Sequence, residues 1–176
     1  MSIAIPQRIT ILVFDVGGRR CALRASRVRE AIALPRLSRP PETPRALAGL
    51  LDLGGEVVPV VRAEALFAET PPPDVEDALD SHVVVLRGAA GGDVGLLVTR
   101  ALDVAAVPPD AVKPVDPKHS LNGLLAAEIE TADGAAHLLD ADKLLLAEEK
   151  AALADYLRRA CERLDAFGGG RREAPA

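Results

Sequence analysis

Short apolar runs separated by turn residues make up most of the chain. Residues 8–16 (RITILVFDV) are rich in β-branched and aliphatic side chains, and residues 20–25 return with apolar side chains at alternate positions. Gly17 and Gly18 stand between them. Tight turns between strands need positive φ, which glycine adopts without strain. This pattern predicts a β-hairpin.

The same alternation predicts strands further along the chain. Residues 28–34 form one, and a loop with four prolines at positions 35–44 ends it, because proline cannot donate to a ladder. In GLLDLGGEVVPVV, residues 49–61, the pair Gly54-Gly55 joins two aliphatic runs and predicts a second hairpin. The later predicted pairs are 82–87 with 94–107 and 123–131 with 135–139.

The strands divide at a proline-rich acidic segment. Three consecutive prolines at 71–73 and five acids within 69–80 predict a surface crossing over residues 68–81. We therefore expect a first barrel at residues 8–67 and a second at 82–141, with about five strands each. Strands this short and numerous favour two small barrels over one open sheet, because a barrel leaves no strand edge exposed.

The final part of the chain changes to a helical period. Residues 142–167 predict an amphipathic helix, with Asp142 as the expected N-cap. Three glycines at 168–170 end it, and residues 168–176 predict a flexible tail. Either the whole apolar stripe docks on the strands, or its end contacts a partner helix or a second copy of the chain. The stripe residues are Leu146, Leu153 and Leu157, expected on the protein's own domain, then Ala160, Leu164 and Phe167 at the candidate helix interface.

Composition excludes several classes of function. A net charge of −5, one Tyr, three Phe and no Trp argue against nucleic-acid binding, which needs basic surfaces and stacking platforms. No apolar run approaches the roughly 20 residues of a membrane span. Cys21 and Cys161 lie far apart, so we expect a reduced, cytoplasmic protein. Charge is uneven, however: residues 19–45 hold eight arginines, which form either a solvated surface or a site for an acidic partner.

Catalytic motifs are missing from the sequence. His82, His119 and His137 lack the spacing of a zinc site, and Cys21 lies in an alternating strand where a buried thiol is expected. The run GAAGGDVG at 88–95 lacks the glycine order of a phosphate loop and predicts a hairpin turn. We expect no enzyme activity, no cofactor and no metal.

The order of these motifs resembles the chemotaxis coupling protein family, the CheW-like domain. The resemblance rests on a hairpin, V-x-E at 28–30, a proline loop, G-L-L-x-L-x-G at 49–55 and V-V-P-V-V at 57–61, and it extends over about residues 9–146. It implies two five-stranded SH3-like barrels that share an apolar core. It also implies a non-enzymatic adaptor that binds the cytoplasmic tip of a chemoreceptor and the regulatory domain of a CheA-like histidine kinase.

The resemblance also implies which residues contact partners. Val28, Glu30 and Gly49 match receptor-contact positions, and Gly95 matches a glycine of the second barrel. Gly54 stands where typical members carry an arginine, and Arg62 stands where they usually carry an aspartate. Three functions therefore stay open: an ordinary coupling adaptor, a divergent modulator that binds a kinase or other partner without ordinary receptor coupling, or a β-barrel that binds a small molecule.

Overall fold

The strands predicted from the glycine turns are present. The computed structural model describes residues 7–67 and 80–168. These residues hold eleven strands and one α-helix: β1 (Ile9–Val16), β2 (Arg19–Arg24), β3 (Val28–Ala33), β4 (Leu47–Leu53), β5 (Glu56–Arg62), β6 (His82–Leu86), β7 (Val94–Val98), β8 (Arg100–Val107), β9 (Val112–Pro114), β10 (Leu125–Thr131), β11 (Gly134–Leu139) and α1 (Ala147–Gly168).

The strands form two mixed sheets, so the mainly β fold is confirmed. Sheet A has six strands in the order β8-β1-β2-β11-β10-β9, and sheet B has five in the order β3-β6-β7-β5-β4. Hairpin pairs are antiparallel, whereas β11 pairs with β2 and β5 pairs with β7 in parallel. The predicted division into barrels at residues 8–67 and 82–141 is wrong, because each sheet takes strands from both halves of the chain.

The exchange of strands depends on a break at Thr99. The sequence predicts one strand over residues 94–107, but β7 ends at Val98 and β8 begins at Arg100 in the other sheet, paired with β1. The Thr99 N–H donates to the Asp15 carbonyl oxygen at 2.9 Å, and its Oγ1 accepts from the Gly17 N–H at 3.0 Å. These bonds hold the crossing chain against the β1–β2 turn.

Each sheet encloses its own apolar cluster. Ile11 and Val13 of β1 lie in the cluster of sheet A, and Val58 and Val60 of β5 lie in that of sheet B. The opposite face of β1 is also buried, and β1 contacts β7 of the other sheet. Both faces of β5 are buried from Val58 to Arg62, although Val57 beside the turn is 37% exposed.

The helix begins later than the sequence predicts. Asp142 is not its N-cap: the Asp140 side chain accepts from the Asp142 N–H at 2.9 Å and stabilises a separate short 3₁₀ turn. Helix α1 starts at Ala147. At the residue before it, the Leu146 N–H donates to Glu149 Oε2 at 2.7 Å. A glutamate at the third helical position that bonds back to the N-cap amide is half of a capping box. From Leu145 onward, the described residues form a structural unit of their own.

Two predicted regions lie outside the described residues. The acidic crossing at 68–81 falls there except for its last two residues, and the predicted tail falls there except for Gly168, the last residue of α1.

Candidate functional site

Three of the residues implied by the family resemblance lie in one row across sheet B. Glu30 of β3 pairs with Val85, Val85 pairs with Gly95 of β7, Gly95 pairs with Val60, and Val60 pairs with Gly49 of β4. The row crosses all five strands of the sheet. Positions far apart in the sequence are thus neighbours in the fold.

Gly49 and Gly95 are buried, and packing explains why both are glycines. A Cβ at Gly95 would lie 2.9 Å from Val83 Cγ1 and 3.0 Å from Val60 Cγ2. A Cβ at Gly49 would lie 2.8 Å from the Ser38 carbonyl oxygen. Carbon atoms pack at about 3.5–4.0 Å, so neither position has room for a side chain. Any influence of these two glycines on a partner therefore acts through the shape of sheet B.

Val28 and Glu30 flank a β-bulge. Val28 pairs with Leu86 and Glu30 with the next residue of β6, so Arg29 is one extra residue in β3. A bulge locally changes the direction of a side chain and twists the strand. Val28 is half-buried, and the Glu30 side chain is 38% exposed. β3 is an edge strand of the sheet, so this bulge is open to a partner.

The bulged Arg29 joins three elements through ion pairs. Its Nη1 donates to Glu56 Oε2 at 2.8 Å and to Asp93 Oδ2 at 2.8 Å, and its Nε lies 3.7 Å from Glu30 Oε1. Asp93 also accepts from the Gly88 N–H at 3.1 Å. The Arg29 hydrogen bond holds the pKa of Asp93 below its usual value, and the two carboxylates raise the pKa of Arg29. One guanidinium therefore faces three carboxylates at this end of sheet B.

Sequence analysis did not identify Arg29, Glu56 and Asp93 as site residues. Arg29 stands inside the V-x-E motif, at the position that the motif leaves free. Its partners are 27 and 64 residues away in the sequence. These charges meet only in the folded sheet, and no local sequence pattern predicts the bulge that carries Arg29.

Gly54 lies close to this cluster, in the turn before Glu56. Its φ is +67° and that of Gly55 is +93°, as the predicted hairpin turn requires. The Gly55 N–H donates to Asp52 Oδ1 at 2.7 Å, and nothing lies within 4 Å of a Cβ built at Gly54. The turn is exposed and has space for a larger side chain, although the backbone favours glycine.

Other candidate positions differ in exposure. Arg62 is 8% exposed, and its N–H donates to the Ala46 carbonyl oxygen at 2.8 Å. In α1, Ala160 is 4% and Leu164 47% exposed, whereas the Phe167 side chain lies outside the described part of the chain. Burial raises the pKa of the Cys21 thiol to about 12, which opposes formation of a nucleophilic thiolate.

Neither a metal cluster nor a membrane-spanning helix is found in the described parts of the chain. Residues 7–67 and 80–168 contain no group of three His, Cys, Asp or Glu side chains arranged to hold a metal ion. In the same ranges no helix combines the length and apolar character needed to cross a membrane.

Comparison with known proteins identifies the family. The family model described as the CheW-like domain matches residues 10–149. The chain belongs to the CheW-like domain family. Among solved structures, this CheW-like chain is similar to the scaffolding protein TtCheW from Thermoanaerobacter tengcongensis. The TM-score is 0.68 at 20% sequence identity, over 83% of this chain and 93% of that one. At that identity the likeness shows the fold alone.

Proposed function

We propose that this CheW-like chain is a non-enzymatic adaptor that couples chemoreceptors to a CheA-like histidine kinase in the cytoplasm. The main supporting observation is the bulge in β3, which presents Val28 and Glu30 on an edge strand of sheet B. A half-buried apolar side chain beside a partly exposed carboxylate suits a protein partner with one apolar and one cationic contact.

The charges of the cluster suggest what the receptor supplies. Arg29 already donates to two carboxylates, so its positive charge is largely compensated within the protein. Glu30 is 3.7 Å from Arg29 and 38% exposed, so it keeps acceptor capacity for another donor. A receptor tip would therefore present an arginine, a lysine or backbone N–H groups to Glu30.

A binding experiment with matched charge variants tests this function. Glu30→Gln removes the carboxylate at the site, whereas Glu128→Gln makes the same change at an exposed position of β10 in the other sheet. We expect Glu30→Gln to weaken binding to a chemoreceptor cytoplasmic-tip fragment about tenfold, because a charge-assisted hydrogen bond is lost. Binding to the kinase regulatory domain should persist in both variants, and equal receptor affinity of the two variants would contradict the proposed site.

Gly54 supports a second candidate, a divergent modulator that binds a kinase or another partner without ordinary receptor coupling. The exposed turn offers no cation where typical members have an arginine, and Arg62 is buried. Gly54→Arg restores the guanidinium and has space for it, but positive φ costs a non-glycine residue about 1–2 kcal/mol.

Receptor binding and stability of Gly54→Arg distinguish the two candidates. A gain in receptor affinity with unchanged kinase binding supports the divergent modulator, with Gly54 as a lost contact. If the wild type binds the receptor and a folded Gly54→Arg variant binds it with the same affinity, the result supports ordinary coupling. A chain that retains no kinase, receptor or other protein partner in a pull-down would contradict both and favour the small-molecule-binding barrel.

A further inference from the structure

A groove opens in sheet A where β2 leaves β1. Its volume is 620 Å³, and it lies at the start of β1 in sheet A, whereas Val28 and Glu30 belong to β3 of sheet B. The residues that line it are Gln7, Arg8, Ile9, Thr10, Arg24 and Ser26.

The groove contains a short open strand edge. β2 pairs with β1 only as far as Ile11 opposite Arg24, and then the chain turns into the 3₁₀ turn Ala25–Arg27. On its other side, β1 stays paired with β8 to Ile9 opposite Val107. Within the described residues, the β2 side of Ile9 and Thr10 therefore has no strand partner. An unpaired strand edge is a template for an added strand.

Two arginines of the groove lack ionic partners in the described structure. Arg20, Arg27 and Arg29 of the arginine-rich stretch are each paired with carboxylates. The side chains of Arg8 and Arg24 make no ion pair or hydrogen bond with any described residue. The adaptor function proposed above uses neither of them.

We propose that this groove binds an extended acidic peptide segment of a partner protein. The backbone of the peptide would pair along Ile9 and Thr10, and its carboxylates would accept from Arg8 and Arg24. The Ser26 and Thr10 hydroxyls add neutral donors. The open strand edge favours a peptide over a small anion, because a free phosphate has no backbone to pair with it.

Fluorescence anisotropy with a labelled peptide that alternates Glu and Val tests the groove in the full chain. Arg24→Gln should weaken binding about tenfold, because a charge-assisted contact is lost. Arg36→Gln is the matched control, since Arg36 is an exposed arginine elsewhere that also lacks a partner among the described residues. It makes the same change in net charge and should keep wild-type affinity. The same peptide with Lys in place of Glu should not bind.

Amide hydrogen exchange separates strand addition from simple charge attraction. Bound peptide should slow exchange at Ile9 or Thr10, because an open N–H gains an acceptor. Equal loss of affinity in Arg24→Gln and Arg36→Gln would overturn the proposal by showing a general charge effect. Displacement of the peptide by inorganic phosphate, with no added amide protection, would also overturn it by showing a small-anion site.

Discussion

Replacing Gly95 with alanine tests whether packing requires this glycine. The new Cβ would lie 2.9 Å from Val83 Cγ1 and 3.0 Å from Val60 Cγ2, and both valines are 0% exposed. These methyl groups belong to buried side chains on adjacent strands, so relief requires off-rotamer side chains or a shift of strands. Overpacking of this kind costs about 1–3 kcal/mol. For a domain of this size, the melting temperature should fall by about 2–12 °C.

Gly92→Ala is the control for the substitution itself. Neither Gly92 nor Gly95 has a positive φ, and nothing lies within 4 Å of a Cβ at Gly92. The two variants therefore make the same chemical change with and without the steric contact. Urea denaturation should give a Gly92→Ala stability within about 0.5 kcal/mol of wild type.

A double-mutant cycle with Val60→Ala identifies the contact. Val60→Ala alone should cost about 1–3 kcal/mol, because it leaves a cavity in the core of sheet B. Added to Gly95→Ala, it removes the Cγ2 atom that the new methyl group would approach. The loss of unfolding free energy in the double variant should be about 1 kcal/mol smaller than the sum of the two single losses. Additivity within about 0.3–0.5 kcal/mol would refute this packing account.

Three further measurements test other features of the structure. A thiol reagent at mildly alkaline pH should modify Cys161 in the native protein but Cys21 only after denaturation, since burial raises the Cys21 pKa to about 12; rapid reaction of both thiols would contradict this burial. Arg29 lowers the pKa of Asp93 in the folded state, so this ion pair stabilises the fold when Asp93 is ionised. The stabilisation is fully present above the ordinary pKa of 3.8 and is lost as pH falls through the folded-state pKa. Asp93→Asn should therefore show a smaller loss of stability in acid than wild type, and equal slopes would argue against the ion pair. If the end of α1 contacts a second copy of the chain, Leu164→Asp should lower the sedimenting mass without changing the melting temperature. A wild type that is monomeric at every concentration would exclude this self-association.

Local turn chemistry explains which strands the sequence could predict. Gly17-Gly18 and Gly54-Gly55 all have positive φ in the structure, so the hairpins around them follow from the residues in the turns. The helix was predicted from its periodicity, but its start was not. A side chain three residues inside α1, Glu149, caps the helix, whereas the expected cap Asp142 belongs to a preceding turn.

The assignment of strands to sheets could not be predicted in this way. It depends on the parallel pairs β2–β11 and β5–β7, whose members are far apart in the sequence, and on the crossing at Thr99. A parallel pair has no connecting turn, so no residue pattern beside either strand indicates its partner. The prediction of consecutive barrels followed from the linear order of strands, which these pairings override.

The candidate site could not be predicted from sequence for the same reason, and the positions that the family resemblance implies are of two kinds. Gly49 and Gly95 lie in one row with Glu30, but they are buried where a Cβ would meet the Ser38 carbonyl oxygen or two valines. They determine how closely the strands approach. Glu30 is exposed beside the bulge and can contact a partner directly. Substitutions at the glycines should therefore reduce stability and partner binding together, whereas Glu30→Gln should reduce receptor binding alone.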